Sequence, residues 1–186
     1  MIFNKHFDLV GEHAFLSASR YHWINYDDEK LDHVWTAQQA AKRGTDLHAF
    51  AHEAIRLGIK LPKNQQTMSL YVNDAIGYRM TPEQILYYSD NAFGTADTIS
   101  FSKNVLRIFD LKTGKLNCSV HQLEVYAALF CLEYKFSPFD IAMDLRIYQS
   151  NEINQYEGDP DVIVHIMDKI ITFDKRINAL RLEAMQ

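Results

Sequence analysis

The chain is poor in cysteine, glycine and proline, and it has no long apolar run. Its 186 residues include two cysteines, seven glycines and four prolines, which leaves little room for disordered segments. Cys118 and Cys131 fit no metal-binding spacing, so we expect reduced thiols. No stretch approaches the roughly 18 apolar residues of a membrane-spanning helix, and the N-terminus has no signal-peptide pattern. These absences predict a cytoplasmic protein with no membrane partner.

The chain also lacks an excess of positive charge. It has 19 lysines and arginines against 24 aspartates and glutamates, a formal net charge of −5. Domains that bind nucleic acid through a broad surface are usually basic over that surface. The composition therefore argues against such a surface and leaves room only for a small basic groove, where the local field decides binding.

Apolar residues are plentiful at 47%, enough for one domain with a sizeable core over residues 1–186. Periodicity and turn signals predict helices over 33–58, 69–78, 119–135 and 159–182, and strands over 84–88, 97–101, 105–112 and 141–147. A turn is predicted over 91–96, and a short helix with serine caps over 16–24. Gly44-Thr45 either lies inside one long helix or begins a second one. The order of elements predicts a small α/β sheet domain.

Two carboxylates and a lysine converge in this prediction. Asp110 and Lys112 share one face at the end of the third strand, roughly 6–7 Å apart, and Asp97 begins the strand that precedes it in a hairpin. Two close carboxylates repel inside a protein unless a cation keeps both ionised. The carbonyl of Leu111 is a further oxygen ligand for a hard divalent cation. The set favours metal-assisted phosphodiester hydrolysis, in which Lys112 could orient the attacking water, favour its ionised form or stabilise the developing charge. The alternative is an ordinary solvated hairpin.

Further motifs surround this set in a recognisable order. Gly44-Thr45-Asp46-Leu47-His48 and Gly94-Thr95-Ala96-Asp97 precede Asp110-Leu111-Lys112, and Gln122-Leu123-Glu124-Val125-Tyr126 follows it. Over about residues 15–150 the chain resembles the RecB-like branch of the PD-(D/E)XK nuclease superfamily, which includes phage exonucleases and nuclease domains of recombination complexes. The opening Leu16-Ser17-Ala18-Ser19 is also similar to the start of this family.

The resemblance implies a restriction-endonuclease-like αβββαβ core, a small mixed sheet flanked by helices. It implies that His48, Asp97 and Asp110 bind Mg²⁺ or Mn²⁺, that Lys112 is catalytic, and that Gln122 and Tyr126 support the site or touch the DNA backbone. Some relatives hold an iron–sulfur cluster with four cysteines; two cysteines predict none here.

Basic side chains that could line a DNA groove are scattered along the chain, and the alternative for them is ordinary solvated surface. They are Arg20, Lys42, Arg43, Lys103, Arg107 and Lys115. Lys115 is the best candidate because it follows the catalytic strand directly, and Ser19 and Arg20 are assigned a supporting or DNA-binding role. The chain has no phosphate-binding loop of a motor protein, so unwinding would need a helicase or recombination partner.

The predicted function is an Mg²⁺- or Mn²⁺-dependent deoxyribonuclease, of the phage or recombination and repair exonuclease type, in the host cytoplasm if the chain is phage-encoded. Two alternatives stay open: a non-catalytic DNA-binding or scaffolding member of the fold, and a structure-specific endonuclease. A zinc hydrolase built on His48 and His52 is disfavoured because Glu53 does not directly follow the first histidine.

Overall fold

A computed structural model describes residues 13–114 and 119–184, together with Phe7 and Gly11. The chain forms two compact units, Met1–Thr45 and Asp46–Gln186. The first unit contains a 3₁₀ helix, Ala18–Asn25, with a kink at Arg20. Ser17 precedes this helix, but its hydroxyl contacts Ser19 Oγ at 3.2 Å and makes no capping hydrogen bond, contrary to the predicted serine cap.

Helix α1 (Asp28–Leu57) begins in the first unit and ends in the second. It runs without a break through Gly44-Thr45, so the alternative of a second helix starting there is wrong. Thr45 Oγ1 donates to the carbonyl oxygen of Ala41 at 3.3 Å, a bond back along the same helix that leaves the helix intact. No helix among the described residues is both long enough and apolar enough to cross a bilayer.

The second unit contains a five-stranded mixed sheet in the order β1-β2-β3-β4-β5. The strands are β1 (Thr81–Ser89), β2 (Ala92–Ser102), β3 (Val105–Leu111), β4 (Ala142–Gln149) and β5 (Glu152–Glu157). Helices α2 (Thr67–Gly77), α3 (His121–Tyr134) and α4 (Pro160–Glu183) flank the sheet, and a short 3₁₀ turn covers Pro138–Asp140. Only β3 and β4 are parallel, and α3 supplies the long crossover that a parallel pair requires. The α/β prediction is confirmed at this level.

Strand β3 has apolar clusters on both of its faces. Leu106 and Ile108 belong to a core with Leu123 of α3, whereas Phe109 and Leu111 belong to a second core with Tyr71, Val72 and Ala54 of α2 and α1. Because both faces are covered, the strand has the continuous apolar sequence from which it was predicted.

Three strand predictions need correction. Strand β2 begins at Ala92, so Asp97 lies in the middle of the strand and the predicted turn shrinks to the bend around Asp90 and Asn91. Gly94 suggested a turn, but it lies in the strand. A Cβ at this position would come to 3.0 Å from the Tyr126 ring, which explains why a strand residue here is glycine. Strand β1 begins at Thr81, and β5 was not predicted at all. Every residue of β5 is exposed, so it carries no burial pattern.

Candidate functional site

The β2–β3 hairpin brings Asp97 and Asp110 together. Its register pairs Thr98 with Phe109, so one step further Asp97 stands across from Asp110. The backbone N–H of Leu111 donates to Asp97 Oδ2 at 2.9 Å, which ties this carboxylate to the end of β3. The two acidic residues therefore occupy facing positions of the hairpin, although the strand that carries Asp97 starts five residues earlier than predicted.

Lys112 holds its ammonium group against Asp110. Lys112 Nζ lies 3.1 Å from Asp110 Oδ1 and 2.9 Å from Oδ2, and it donates to Gln122 Oε1 at 3.0 Å. Gln122 Nε2 in turn donates to the hydroxyl of Tyr126 at 3.1 Å. Gln122 and Tyr126 lie one turn apart on α3, and the Tyr126 ring packs over Gly94 of β2. A chain of contacts thus runs from Asp110 through Lys112 to α3 and back to the sheet.

His48 approaches the same place from α1. Its Nδ1 lies 3.5 Å from Asp97 Oδ2, an ion-pair distance when the imidazole is protonated. His48, Asp97, Asp110 and Lys112 are called the carboxylate cluster below. Contacts thus join the four predicted groups in two pairs, His48 with Asp97 and Asp110 with Lys112, and the hairpin register sets the two pairs side by side.

Burial makes the ionised form of both carboxylates costly. Asp110 is 2% exposed, and burial together with the charge of Asp97 raises its pKa to about 6, against the opposing effect of Lys112. Burial also raises the pKa of Asp97, while the Leu111 amide and His48 oppose the rise. Among the described residues, Asp110 Oδ2 is a buried oxygen that accepts no well-directed hydrogen bond, despite its proximity to Lys112. A cation beside these oxygens would relieve the cost, so the donor chemistry fits Mg²⁺ or Mn²⁺.

The side chains are not in a finished coordination geometry. Within residues 13–114 and 119–184, no three histidine, cysteine, aspartate or glutamate side chains converge closely enough to hold a metal ion as they stand. Asp110 is engaged by Lys112, and Asp97 by the Leu111 amide. Binding a cation here requires side-chain rotation.

Glu83 joins the site from β1, and sequence reasoning missed it. It stands across from Asp97, since Pro82 pairs with Thr98 and Gln84 with Ala96. Its φ of 48° lies in the left-handed region, and its negative charge contributes to the raised pKa of Asp97. No sequence signal could place it, because Thr81-Pro82 was interpreted as a break before the strand rather than as its first residues.

His52 pairs with Glu83, with Nδ1 3.2 Å from Oε2. The two residues line a shallow cleft together with His48, Tyr71 and Asp97. The spacing of His48 and His52, one helical turn apart, was visible in the sequence; their shared cleft with two carboxylates was not.

Further residues were predicted to contact DNA or to support the site. Ser19 and Arg20 belong to the 3₁₀ helix of the first unit, and Lys115 lies outside the described residues. Arg107 does not line an open groove: its Nε is 3.6 Å from Asp144 Oδ2 and its guanidinium lies over the Tyr78 ring.

Comparison with known proteins identifies no relative: no family model matches the chain, nor does any curated protein or solved structure.

Proposed function

We propose that the chain is a metal-dependent deoxyribonuclease of the RecB-like type, an exonuclease of the phage or recombination and repair kind. The observation that carries the proposal is the meeting of Asp97 and Asp110 across a hairpin, with Lys112 Nζ 2.9 Å from Asp110. The order α1, β1–β3, α3, β4 agrees with a restriction-endonuclease-like αβββαβ core, with α2 as an insertion after the first helix.

Three residues of the carboxylate cluster, His48, Asp97 and Asp110, would hold the metal. His48, Asp97, Asp110 and the carbonyl of Leu111 offer one nitrogen and several oxygens, a donor set suited to Mn²⁺ and Mg²⁺. A bound divalent cation supplies Lewis acidity toward the phosphate and lowers the pKa of water.

Lys112 supplies the positive charge that the chain itself contributes to the reaction. Its ammonium is already fixed between Asp110 Oδ1 and Gln122 Oε1, so it needs little reorganisation to donate to an oxygen of the phosphate. A fixed donor stabilises negative charge that develops in the transition state more effectively than a mobile one. Gln122 and Tyr126 orient this lysine from α3.

A nuclease assay on end-labelled linear and circular DNA, with Mg²⁺, Mn²⁺ or EDTA, tests the proposal. We expect metal-dependent loss of linear DNA only, and no activity for Asp110→Asn. Asp168→Asn, on the exposed face of α4, is the matched control and should behave as the unmodified protein. Cleavage by Asp110→Asn at the unmodified rate would contradict the proposal, whereas nicking of circular DNA would point to the structure-specific endonuclease.

The direct pairing of Lys112 with Asp110 favours a second candidate, a non-catalytic DNA-binding or scaffolding member of the fold. Metal titration separates the two, since a ligand that binds only the folded state raises the melting temperature. If the protein is a nuclease, millimolar Mn²⁺ should raise the melting temperature of the unmodified protein but not that of Asp110→Asn. A melting temperature that does not respond to Mn²⁺ or Mg²⁺ would favour the non-catalytic protein.

A further inference from the structure

A cleft with a volume of about 300 Å³ lies beside Lys112. It is formed by α1, the start of α2, the end of β3 with the residues that follow it, and the turn between β4 and β5. Its volume is at the lower end of the roughly 300–1,000 Å³ of small-ligand sites. Lys112 is therefore shared between the carboxylate cluster and a cavity large enough for a single ring system.

The walls of this cleft combine apolar surface with hydroxyl groups. Leu47, Met68 and Leu111 provide the apolar side chains, and Leu111 at 1% exposure forms a fixed floor. Thr67, Thr113 and Ser150 contribute hydroxyl groups. A nucleobase has the same two properties, apolar faces and a polar edge, and a methionine thioether makes favourable contacts with aromatic rings.

A phosphate is a poorer match, although a helix begins at this cleft. The N–H of Thr67 donates to Asn151 Oδ1 at 3.0 Å, and Asn151 N donates to Thr67 Oγ1 at 2.7 Å. The preceding N–H of Gln66 donates to Asn64 Oδ1 at 3.0 Å. Because the chain itself satisfies these two donors, the start of α2 offers an anion less than an uncapped helix N-terminus would.

The cleft is held in shape by hydrogen bonds from β4 and its turn. Lys112 N donates to the carbonyl oxygen of Tyr148 at 2.9 Å, and Gln149 Nε2 donates to that of Gly114 at 2.7 Å. The Thr67–Asn151 bonds fix the opposite wall. A ligand therefore enters a preformed space and does not have to order it.

We propose that this cleft binds one unstacked nucleobase of a single-stranded or frayed DNA end, next to the phosphodiester presented to Lys112. The inference rests on the proposed function and specifies its substrate: the strand end must be unpaired for its base to enter. The ligand is a neutral heteroaromatic ring, and the cleft accepts it without reading its sequence.

Binding in EDTA tests the inference without any cleavage. Labelled oligothymidylate is compared with an abasic deoxyribose-phosphate chain of the same length and charge. The unmodified protein should bind the base-bearing chain about 5- to 150-fold more tightly, the range expected for stacking of one base. Gly114→Trp should lose this preference, because Gly114 lines the cleft and a Cβ there meets no atom within 4 Å, so the indole can occupy the cleft.

Gly77→Trp is the matched control, since Gly77 has equally open space and lies outside the cleft. It should keep the preference. Thr113→Trp, at the exposed rim, is a second filling variant if Gly114→Trp melts early.

Equal binding of the two chains by the unmodified protein would overturn the inference, as would a base preference that survives in folded Gly114→Trp. Failure of the proposed function is distinguishable from either result. Metal-dependent DNA cleavage without a base preference in binding would support the nuclease and contradict the base site. Base-dependent binding with no cleavage in any metal would support the base site and contradict the hydrolysis.

Discussion

Strand β3 contributes residues to two charged clusters, one built around carboxylates and one around arginines. At its end lies the carboxylate cluster, and near its start lies an arginine cluster of Arg107, Asp144, Arg146 and Asp74. Both are partly buried, and both use residues of the same sheet. They differ in how completely their charges are matched.

The arginine cluster is closely paired. Arg146 Nε and Nη2 donate to Asp144 Oδ1 and Oδ2 at 2.9 and 2.8 Å, and the guanidinium lies 4.8 Å from the centre of the Phe109 ring. Burial is the largest single influence on the pKa of Arg146 and lowers it, but the hydrogen bonds with Asp144, Tyr78 and Tyr148 and the charge of Asp144 together raise the net pKa. The one poorly matched atom is Arg107 Nε, 3.6 Å from Asp144.

The carboxylate cluster is poorly matched, since the charge of Asp97 raises the pKa of Asp110 and one buried Asp110 oxygen accepts no well-directed hydrogen bond. A protein keeps such a costly arrangement where it serves binding or chemistry. Charged residues in a sheet are therefore not in themselves a sign of function. Buried carboxylates whose charge is only partly offset by nearby donors and cations are the more useful sign.

Lys112→Ala should have the largest effect on activity. We expect the rate of DNA cleavage to fall about 10²- to 10⁴-fold, because a fixed charge near the phosphate is lost. The melting temperature should also fall, since Lys112 is the ion-pair partner of the buried Asp110 carboxylate, so the rate is expressed per folded molecule. The measurement is kcat/KM on linear DNA with Mn²⁺, and Lys169→Ala on α4 is the control. A folded Lys112→Ala protein that cleaves at the unmodified rate would remove the proposed role.

Arg146→Ala should have the opposite profile. Removing Arg146 leaves the partly buried Asp144 with only the more distant Arg107 and the amide of Gln155, so the free energy of unfolding should fall by up to about 3–5 kcal/mol. Cleavage per folded molecule should be retained. Urea unfolding measures the first quantity. Arg176→Ala breaks an exposed pair with Glu183 and should cost no more than about 1 kcal/mol. If both arginine variants unfold alike, the arginine cluster does not stabilise the sheet.

The sequence predicted the parts of the fold that depend on buried apolar patterns. β3, α3 and the Asp159-Pro160 start of α4 are found where the pattern placed them, because a buried strand and a capped helix leave local signals. β5 and the first half of β2 left no such signal. β5 is exposed throughout, and the first half of β2 contains Gly94, a glycine that makes room for the Tyr126 ring.

Only the part of the site that a single hairpin brings together could be predicted from the sequence. A hairpin places Asp97 opposite Asp110 whatever the details of its ends, so these residues and Lys112 were within reach of sequence reasoning. Glu83 was not, because its position depends on the register of β1, and register follows from burial across the whole sheet. The arginine cluster was missed for the same reason.

Asp110→Asn should stabilise the metal-free protein. The pKa of Asp110 is raised from 3.8 to about 6 by burial and by Asp97, so the folded state holds a proton that the unfolded state releases. Stability therefore falls as the pH rises from about 4 to 6. Asparagine removes this fall and should add about 1–3 kcal/mol at pH 7 in EDTA.

Urea unfolding at a series of pH values measures this effect, with Asp168→Asn as the exposed control. A less stable Asp110→Asn protein at pH 7 would mean that pairing with Lys112 dominates and that the carboxylate cluster is as well matched as the arginine cluster.

Tyr126→Phe should have the smallest effect. It removes the hydroxyl that accepts from Gln122 Nε2, a bond worth about 0.5–1.5 kcal/mol, so cleavage should fall about 2- to 10-fold. Tyr134→Phe, further along α3, should have no effect. If Tyr126 acts only by orienting Gln122 toward Lys112, then Tyr126→Phe should cost nothing more in a Gln122→Ala background. Additive losses would instead mean that the Tyr126 hydroxyl contacts the DNA backbone itself, and the chain of contacts from Asp110 to α3 would end at Gln122.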